Sequence, residues 1–189
     1  MRYAPGHNEA TRERILEAAS RLFREHGIAA VGLAKIMAEA DLTVGTFYTH
    51  FKSKEALLRE ILLRTLQGRQ EALEQALRGG ELEMAVRAYL SPEHRDAAGT
   101  GCPVAALVSE VGRHPRATRN IFASHIEPSL DVLAECLSTR RGKEAGRADA
   151  SAFLGLLVGT LQLARATPDR AGSDAILEAG VRAALLLAK

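Results

Sequence analysis

The chain has 189 residues, 47% of them hydrophobic and 25% charged, and carries a formal charge of +2 at neutral pH. That is enough for one compact unit with a sizeable core, or for a small domain joined to a larger one. Such a balanced charge argues against a sequence-independent DNA-packaging protein, which relies on many phosphate neutralisations, so any nucleic-acid footprint has to be local.

Two cysteines, Cys102 and Cys136, are too few and too far apart for a disulfide framework or a CxxC metal site, and a reducing cytoplasm is the simpler setting. The opening MRYAPGHNEATRER lacks the apolar core of an export signal. The longest charge-free run, ASAFLGLLVGTLQLA at 150–164, falls short of the roughly 20 apolar residues of a bilayer span and reads as a buried helix. No membrane partner is expected.

Apolar residues recur at helical period almost throughout, and runs of alternating β-branched residues are missing, so the predicted fold is all-α. A first helix starts between Asn8 and Thr11, with Ile15, Ala18, Ala19, Leu22 and Phe23 on one stripe and Gly27 as a left-handed stop. A short helix covers about 33–40, entered through Gly32 and facing Ile36 and Met37 inward. Asp41 tolerates the left-handed turn that follows. Thr43 is placed to cap a helix to about His50, and Ser53 to cap the next, which carries Leu57, Leu58, Ile61, Leu62 and Leu66 toward a stop at Arg78–Gly80. Beyond it lie a helix near 81–90, a turn-rich loop SPEHRDAAGTG, a helix from Pro103 to about Gly112, and a long helix with Pro128 inside it. Two further helices, about 142–166 and 173–188, close the chain.

Two short helices joined by a tight turn and supported by a third form a helix-turn-helix unit, here about 33–50 within a domain at 8–54. The remaining residues, 55–189, form a larger bundle. In LTVGTFYTHFKSK the inward set is Leu42, Phe47 and Phe51, which leaves Thr43, Val44, Gly45, Thr46, Tyr48, Thr49 and His50 for an outward face. Small hydroxylated side chains allow close approach to a major groove: a valine or threonine methyl meets a thymine methyl, and hydroxyls reach base edges. A phenol, lysines and a helix N-terminus grip phosphates, and Tyr48, Lys52 and Lys54 with the Ser53 cap supply them. Gly45 costs its helix about 1 kcal/mol relative to alanine, which close approach to DNA would justify.

From Thr11 to Leu58 the chain resembles the DNA-binding domain of TetR/AcrR transcriptional regulators, whose hallmark is a T-[LF]-Y-x-[HY]-F-x-[SN]-K run. Thr46, Phe47, Tyr48, His50, Phe51, Ser53 and Lys54 sit on it. Gly32 and Asp41 depart from the residues many relatives carry, Ser or Thr and Gly respectively, which removes a phosphate-binding hydroxyl from the second helix and adds a negative charge near DNA. The resemblance implies a double-stranded DNA operator, palindromic and bound by a homodimer, with a repressor's function and an unidentified small-molecule inducer held in the C-terminal bundle.

Candidate lining residues for that ligand pocket are Leu62, Leu66, Met84, Cys102, Phe122, His125, Ile126, Phe153 and Leu157. Cys102, at the start of a helix, reads either as a thiolate stabilised by the helix dipole, able to sense electrophiles or oxidants, or as a small residue packed under the preceding loop. Cys136 reads as core. His94, His114 and His125 lack zinc-like spacing, so no metal is expected, and Arg113, His114 and Arg116 read as a solvated helix end. Small residues Ala152, Gly155 and Gly159 beside Leu156, with Ile176, Gly180, Val181 and Ala184 on the last helix, read either as faces buried within one chain or, as the resemblance implies, as a four-helix dimer seam.

An enzyme is the competing class, as is a helical small-molecule-binding protein without a DNA role. The chain has no GxSxG, P-loop, HExxH or GxGxxG motif and no acid pair spaced for catalysis, so neither catalytic residues nor cofactors are expected.

Overall fold

A computed structural model describes residues 5–77, 81–142 and 144–189, and among these the chain forms ten helices and no strand. They are α1 (Pro5–His26), α2 (Leu33–Glu39), α3 (Val44–His50), α4 (Lys54–Leu77), α5 (Leu82–Tyr89), α6 (Pro92–Asp96), α7 (Pro103–Val111), α8 (Arg116–Arg141), α9 (Arg147–Ala166) and α10 (Arg170–Leu187). The expected all-α class is what the chain adopts. The stop expected at Arg78–Gly80 lies outside the described residues.

The apolar stripe of α1 meets α2, α4 and α7, burying Ile15, Ala19, Phe23, Ile36, Met37, Phe47 and Leu58 completely. Backbone geometry at the turns follows from the residues placed there. Gly27 ends α1 at φ +84°, and Asp41 sits between α2 and α3 at φ +52°, the left-handed region that Asp and Asn tolerate best among side-chain-bearing residues. Arg14 steadies that turn by donating to the carbonyls of Ala40 and Asp41, the former at 2.5 Å.

Helix α4 leaves this small core and packs along α8, which packs on α9, which packs on α10. The buried residues run without a break from Ile15 through Leu62 and Leu66 to Leu107, Leu133, Phe153 and Leu161, so the two parts share one apolar interior.

Two local expectations are corrected. The segment after Leu90 is not simply a loop: Ser91 Oγ accepts the N–H of His94 at 3.2 Å and Pro92 stands at the first helical position, which together start α6. Arg95 is 95% buried yet satisfied, donating to Asp96 at 2.8 Å, Ser173 at 2.8 Å and Asp174 at 2.5 Å, so α6 is tied to α10. The first helix also begins earlier than expected, at Pro5, a residue suited to a first turn because its missing N–H would go unpaired there anyway. Among the described residues no helix is long and apolar enough to cross a membrane.

Candidate nucleic-acid interface and bundle cavity

The seven residues of α3 are held from beneath by aromatic packing. Phe47 is fully buried, its ring stacks on Phe51 with centroids 5.6 Å apart, and the Arg12 guanidinium covers Phe51 at 4.9 Å. Arg12 is itself fixed by a two-pronged pair with Glu60 on α4. With one side anchored, the other projects: Tyr48 is 63% exposed and Val44 42%, Thr43, Gly45 and Thr49 are exposed, and Thr46 and His50 are half-buried. Desolvation, with Arg12 nearby, holds the His50 imidazole below its usual pKa and therefore neutral at pH 7.

The threonines do not behave as expected at the helix start. Thr43 makes no side-chain cap; its Oγ1 lies 3.0 Å from Thr46 Oγ1 instead, while Thr49 Oγ1 donates to the Thr46 carbonyl at 2.7 Å. These bonds fix the hydroxyls and leave their remaining lone pairs as acceptors. A Cβ added at Gly45 would meet only Thr43 Oγ1, at 3.9 Å, so nothing inside the protein demands glycine there.

Ser53 caps α4 as expected, its Oγ accepting the Ala56 N–H at 3.1 Å, and Lys52 beside it is exposed. Lys54 points elsewhere than the backbone grip expected of it. Its ammonium donates to the Ile28 carbonyl at 2.5 Å and stands 5.6 Å from the Phe23 ring centre, tying the start of α4 to the turn after α1. Desolvation lowers its pKa, as burial of a cation must.

The same turn is gripped from α7, since Glu110 accepts the N–H groups of Ile28 at 3.0 Å and Ala29 at 2.8 Å. Glu55, near the start of α4, bonds His114 at 2.9 Å and accepts the Thr118 hydroxyl at 2.5 Å. His114 is thus a half-buried partner of α4 rather than part of a solvated end.

A cavity of about 470 Å³ opens between α4, α5, α8, α9 and the segment before α7. Of the nine candidate residues, Cys102, Phe153 and Leu157 line it. The other six expected residues do not. Leu62 and Leu66 are buried in the core, Leu62 before the lined part of α4 and Leu66 within its span without lining the cavity; Met84 is 59% exposed on the outer side of α5; Phe122, His125 and Ile126 lie at least seven residues, about 10 Å, along α8 from Leu133, where that helix meets the cavity. His125 Nδ1 is instead 2.9 Å from the Ile121 carbonyl. The lining also includes Thr65, Arg69, Leu73, Leu77, Tyr89, His94 and Thr100, which the sequence reading missed. One signal was present: Leu62, Leu66, Arg69, Leu73 and Leu77 share a stripe, and a cation on an apolar stripe marks a polar demand inside the bundle.

Cys102 is 97% buried and its backbone N–H donates to His94 Nε2 at 3.0 Å, which favours packing under the preceding loop over an exposed thiolate. Cys136 is half-buried against the core, and burial raises its thiol pKa. Among the described residues no group of three or more His, Cys, Asp or Glu could hold a metal ion.

At the other side of the bundle the expected seam divides in two. Ala152, Gly155 and Gly159 are exposed, and Leu156 and Ile176 half-buried. Gly180, Val181 and Ala184, by contrast, are buried within the chain, because α9 and α10 approach so closely that a Cβ on Gly180 would meet Thr160 Cγ2 at 2.3 Å. The exposed stripe of α10 is one residue out of register with the expected one: Ala175, Ala179, Ala183 and Leu186, the last 69% exposed.

Residues 15–61 match the profile described as "Bacterial regulatory proteins, tetR family". The HTH-type transcriptional regulator UidR of Escherichia coli (strain K12) is 29% identical over 119 residues, which span 62% of this chain and 60% of that relative's length. A TetR-family regulator from Agrobacterium tumefaciens superposes with TM-score 0.78 at 22% identity, covering 93% of this chain and 97% of that one. The reduced form of E. coli NemR superposes with TM-score 0.76 at 22% identity, covering 93% and 95%; NemR, 32% identical over 71 residues, is named a transcriptional repressor. An anchored α3 with a projecting hydroxylated face and the profile match over that unit agree, so residues 15–61 carry the tetR-family unit of bacterial regulatory proteins, within a helical fold shared with these solved structures.

Proposed function

We propose that the chain is a transcriptional regulator, a repressor that holds a palindromic operator as a homodimer and releases it when a small molecule enters the bundle. The observation that carries this is the two-sidedness of α3: Phe47 buried and stacked on Phe51, with Tyr48, Val44 and Thr49 projecting from the opposite side. A helix presented in that way fits a major groove, with Thr46, Thr49 and Val44 toward base edges and Tyr48 and Lys52 toward phosphates. Lys54 serves the same interface from inside, by fixing where α4 begins. The repressor assignment is supported by likeness to NemR, and the DNA partner implies a cytoplasmic setting.

Pairing is supported by α9 and α10. They are joined by residues 167–169 and run antiparallel with Thr160 against Gly180. At about 100° per residue, Ala152, Gly155, Gly159 and Leu163 fall on the same side of that contact as Ala175, Ala179, Ala183 and Leu186. A second copy laid on this small-residue face would form a four-helix seam and set two α3 helices about one DNA turn, about 34 Å, apart.

Coupling runs through two struts. Helix α4 joins the DNA-binding unit to the cavity wall, and α7 runs from Cys102 at the cavity to Glu110 at the turn after α1. A ligand that prefers a spread arrangement of the two heads lowers DNA affinity by its differential binding energy.

Selection of fragments from the source genome with the purified protein tests this function. The expected result is an enriched inverted repeat, bound by two chains. Retention of random duplex as strong as that of any enriched fragment, or no retention even in dilute salt, overturns it.

A further inference from the structure

The polar groups of the cavity are few and lopsided. Among the described residues no aspartate or glutamate lines it, whereas Arg69 does, with its guanidinium carbon 5.1 Å from the Tyr89 ring centre. Among the described residues no carboxylate lies at ion-pair distance from Arg69. Tyr89 is 94% buried, and among the described residues its hydroxyl makes no full hydrogen bond, with the Cys102 thiol its nearest polar neighbour. Burial, with Cys102 beside it, raises the phenol's pKa, so it stays an O–H donor.

The neighbouring donors are already committed. His94 accepts the Cys102 N–H on Nε2, which leaves its proton on Nδ1, 2.6 Å from the Tyr89 carbonyl, and desolvation keeps the ring neutral. Arg165 donates to the carbonyls of Arg95 at 3.0 Å and His94 at 2.9 Å. Among the described residues that line it, one guanidinium without an ion-pair partner and one buried hydroxyl without a full hydrogen bond therefore face a space walled mainly by apolar side chains, Leu73, Leu82, Leu133 and Phe153 among them. A buried donor without a partner costs free energy that an acceptor in the cavity would recover.

We propose that this cavity takes a monoanionic amphiphile, a carboxylate on an apolar body, whose two oxygens accept from Arg69 and from the Tyr89 hydroxyl while the body lies against the leucines and Phe153. Among the described lining residues Arg69 is the single cation, which matches a single negative charge, and the guanidinium fork matches the planar carboxylate. The volume is within the range of small-molecule sites. This inference deepens the inducer part of the proposed function and rests on it for the consequence of binding, though not for binding itself.

The test is calorimetric titration of the full chain with octanoate, 1-octanol and octylammonium, in native protein and in the variants Arg69→Gln and Tyr89→Phe. Octanoate should bind about tenfold or more tighter than octanol, as expected for charge-assisted hydrogen bonds, and octylammonium should not bind. Arg69→Gln should abolish the preference for octanoate while octanol binding persists, which also shows that the variant folds; Tyr89→Phe should weaken octanoate several-fold. Octanol binding as tightly as octanoate, an unchanged preference in Arg69→Gln, or no binding of any probe overturns the inference. Duplex retention measured without probe separates the two ideas: a chain that prefers octanoate but retains no DNA sinks the regulator and leaves this site standing, and the reverse result sinks the site alone.

Discussion

Glu110 accepts the backbone N–H of Ile28 at 3.0 Å across 82 residues of sequence, and its second oxygen takes the N–H of Ala29. Two donors that would otherwise be unpaired after α1 are thus satisfied by a helix whose other end, at Cys102, borders the cavity. Glu110→Ala should destabilise the fold by about 1–3 kcal/mol, the cost of orphaning such donors, read by urea denaturation. In the same variant the drop in operator affinity on adding an inducing ligand should shrink; an undiminished drop would remove α7 from the coupling route.

Gly45 meets nothing within the protein closer than Thr43 Oγ1 at 3.9 Å. Gly45→Ala should therefore stabilise the free protein, by up to about 1 kcal/mol, and yet weaken operator binding if the backbone there approaches DNA. Opposite signs in thermal denaturation and in a gel-shift titration are the expected pair. Stabilisation with unchanged DNA affinity would show that α3 does not lie close in the groove.

Lys52 and Lys54 are two residues apart but differ in what they face. Lys52 is exposed, whereas Lys54 is tied to Ile28. Lys52→Ala should reduce the salt slope of operator binding by about one phosphate contact. Lys54→Met should lower stability and affinity with little change in that slope. Tyr48→Phe should weaken all duplexes alike, and Thr46→Ala or Val44→Ala should shift base preference.

The two sides of α10 give a second contrast. Leu186→Glu, at a side chain 69% exposed, should split the proposed dimer in analytical ultracentrifugation while the monomer stays folded. Gly180→Leu should destabilise the monomer itself, by about 1–3 kcal/mol or more, through collision with Thr160. An intact dimer for Leu186→Glu would move the seam elsewhere.

Asp96 on α6 is held down to about 2 by hydrogen bonds from Arg95 and then Arg170. Its folded pKa lies below the unfolded value of about 3.9, so the stability it contributes is present above that value and is lost as pH falls toward about 2. Asp96→Asn should flatten the acid side of the denaturation profile between those limits.

Much of this was legible in the chain as written. Local periodicity is enough to set α1 through α4, because Ile15, Leu22 and Phe23, or Phe47 and Phe51, can bury only one face of a helix, and Gly27 and Asp41 occupy turns that few other residues accept. The outward set on α3 follows from the same count. Tertiary structure alone decided which polar groups are already engaged: Lys54 turned inward because the Ile28 carbonyl needed a donor, Thr43 because Thr46 lay within reach, and His114 because Glu55 came to it from 59 residues away. It likewise decided that Gly180 belongs to the monomer and that Arg69 and Tyr89 share a cavity, since both depend on how closely separate helices approach, a distance that no single helix's pattern contains.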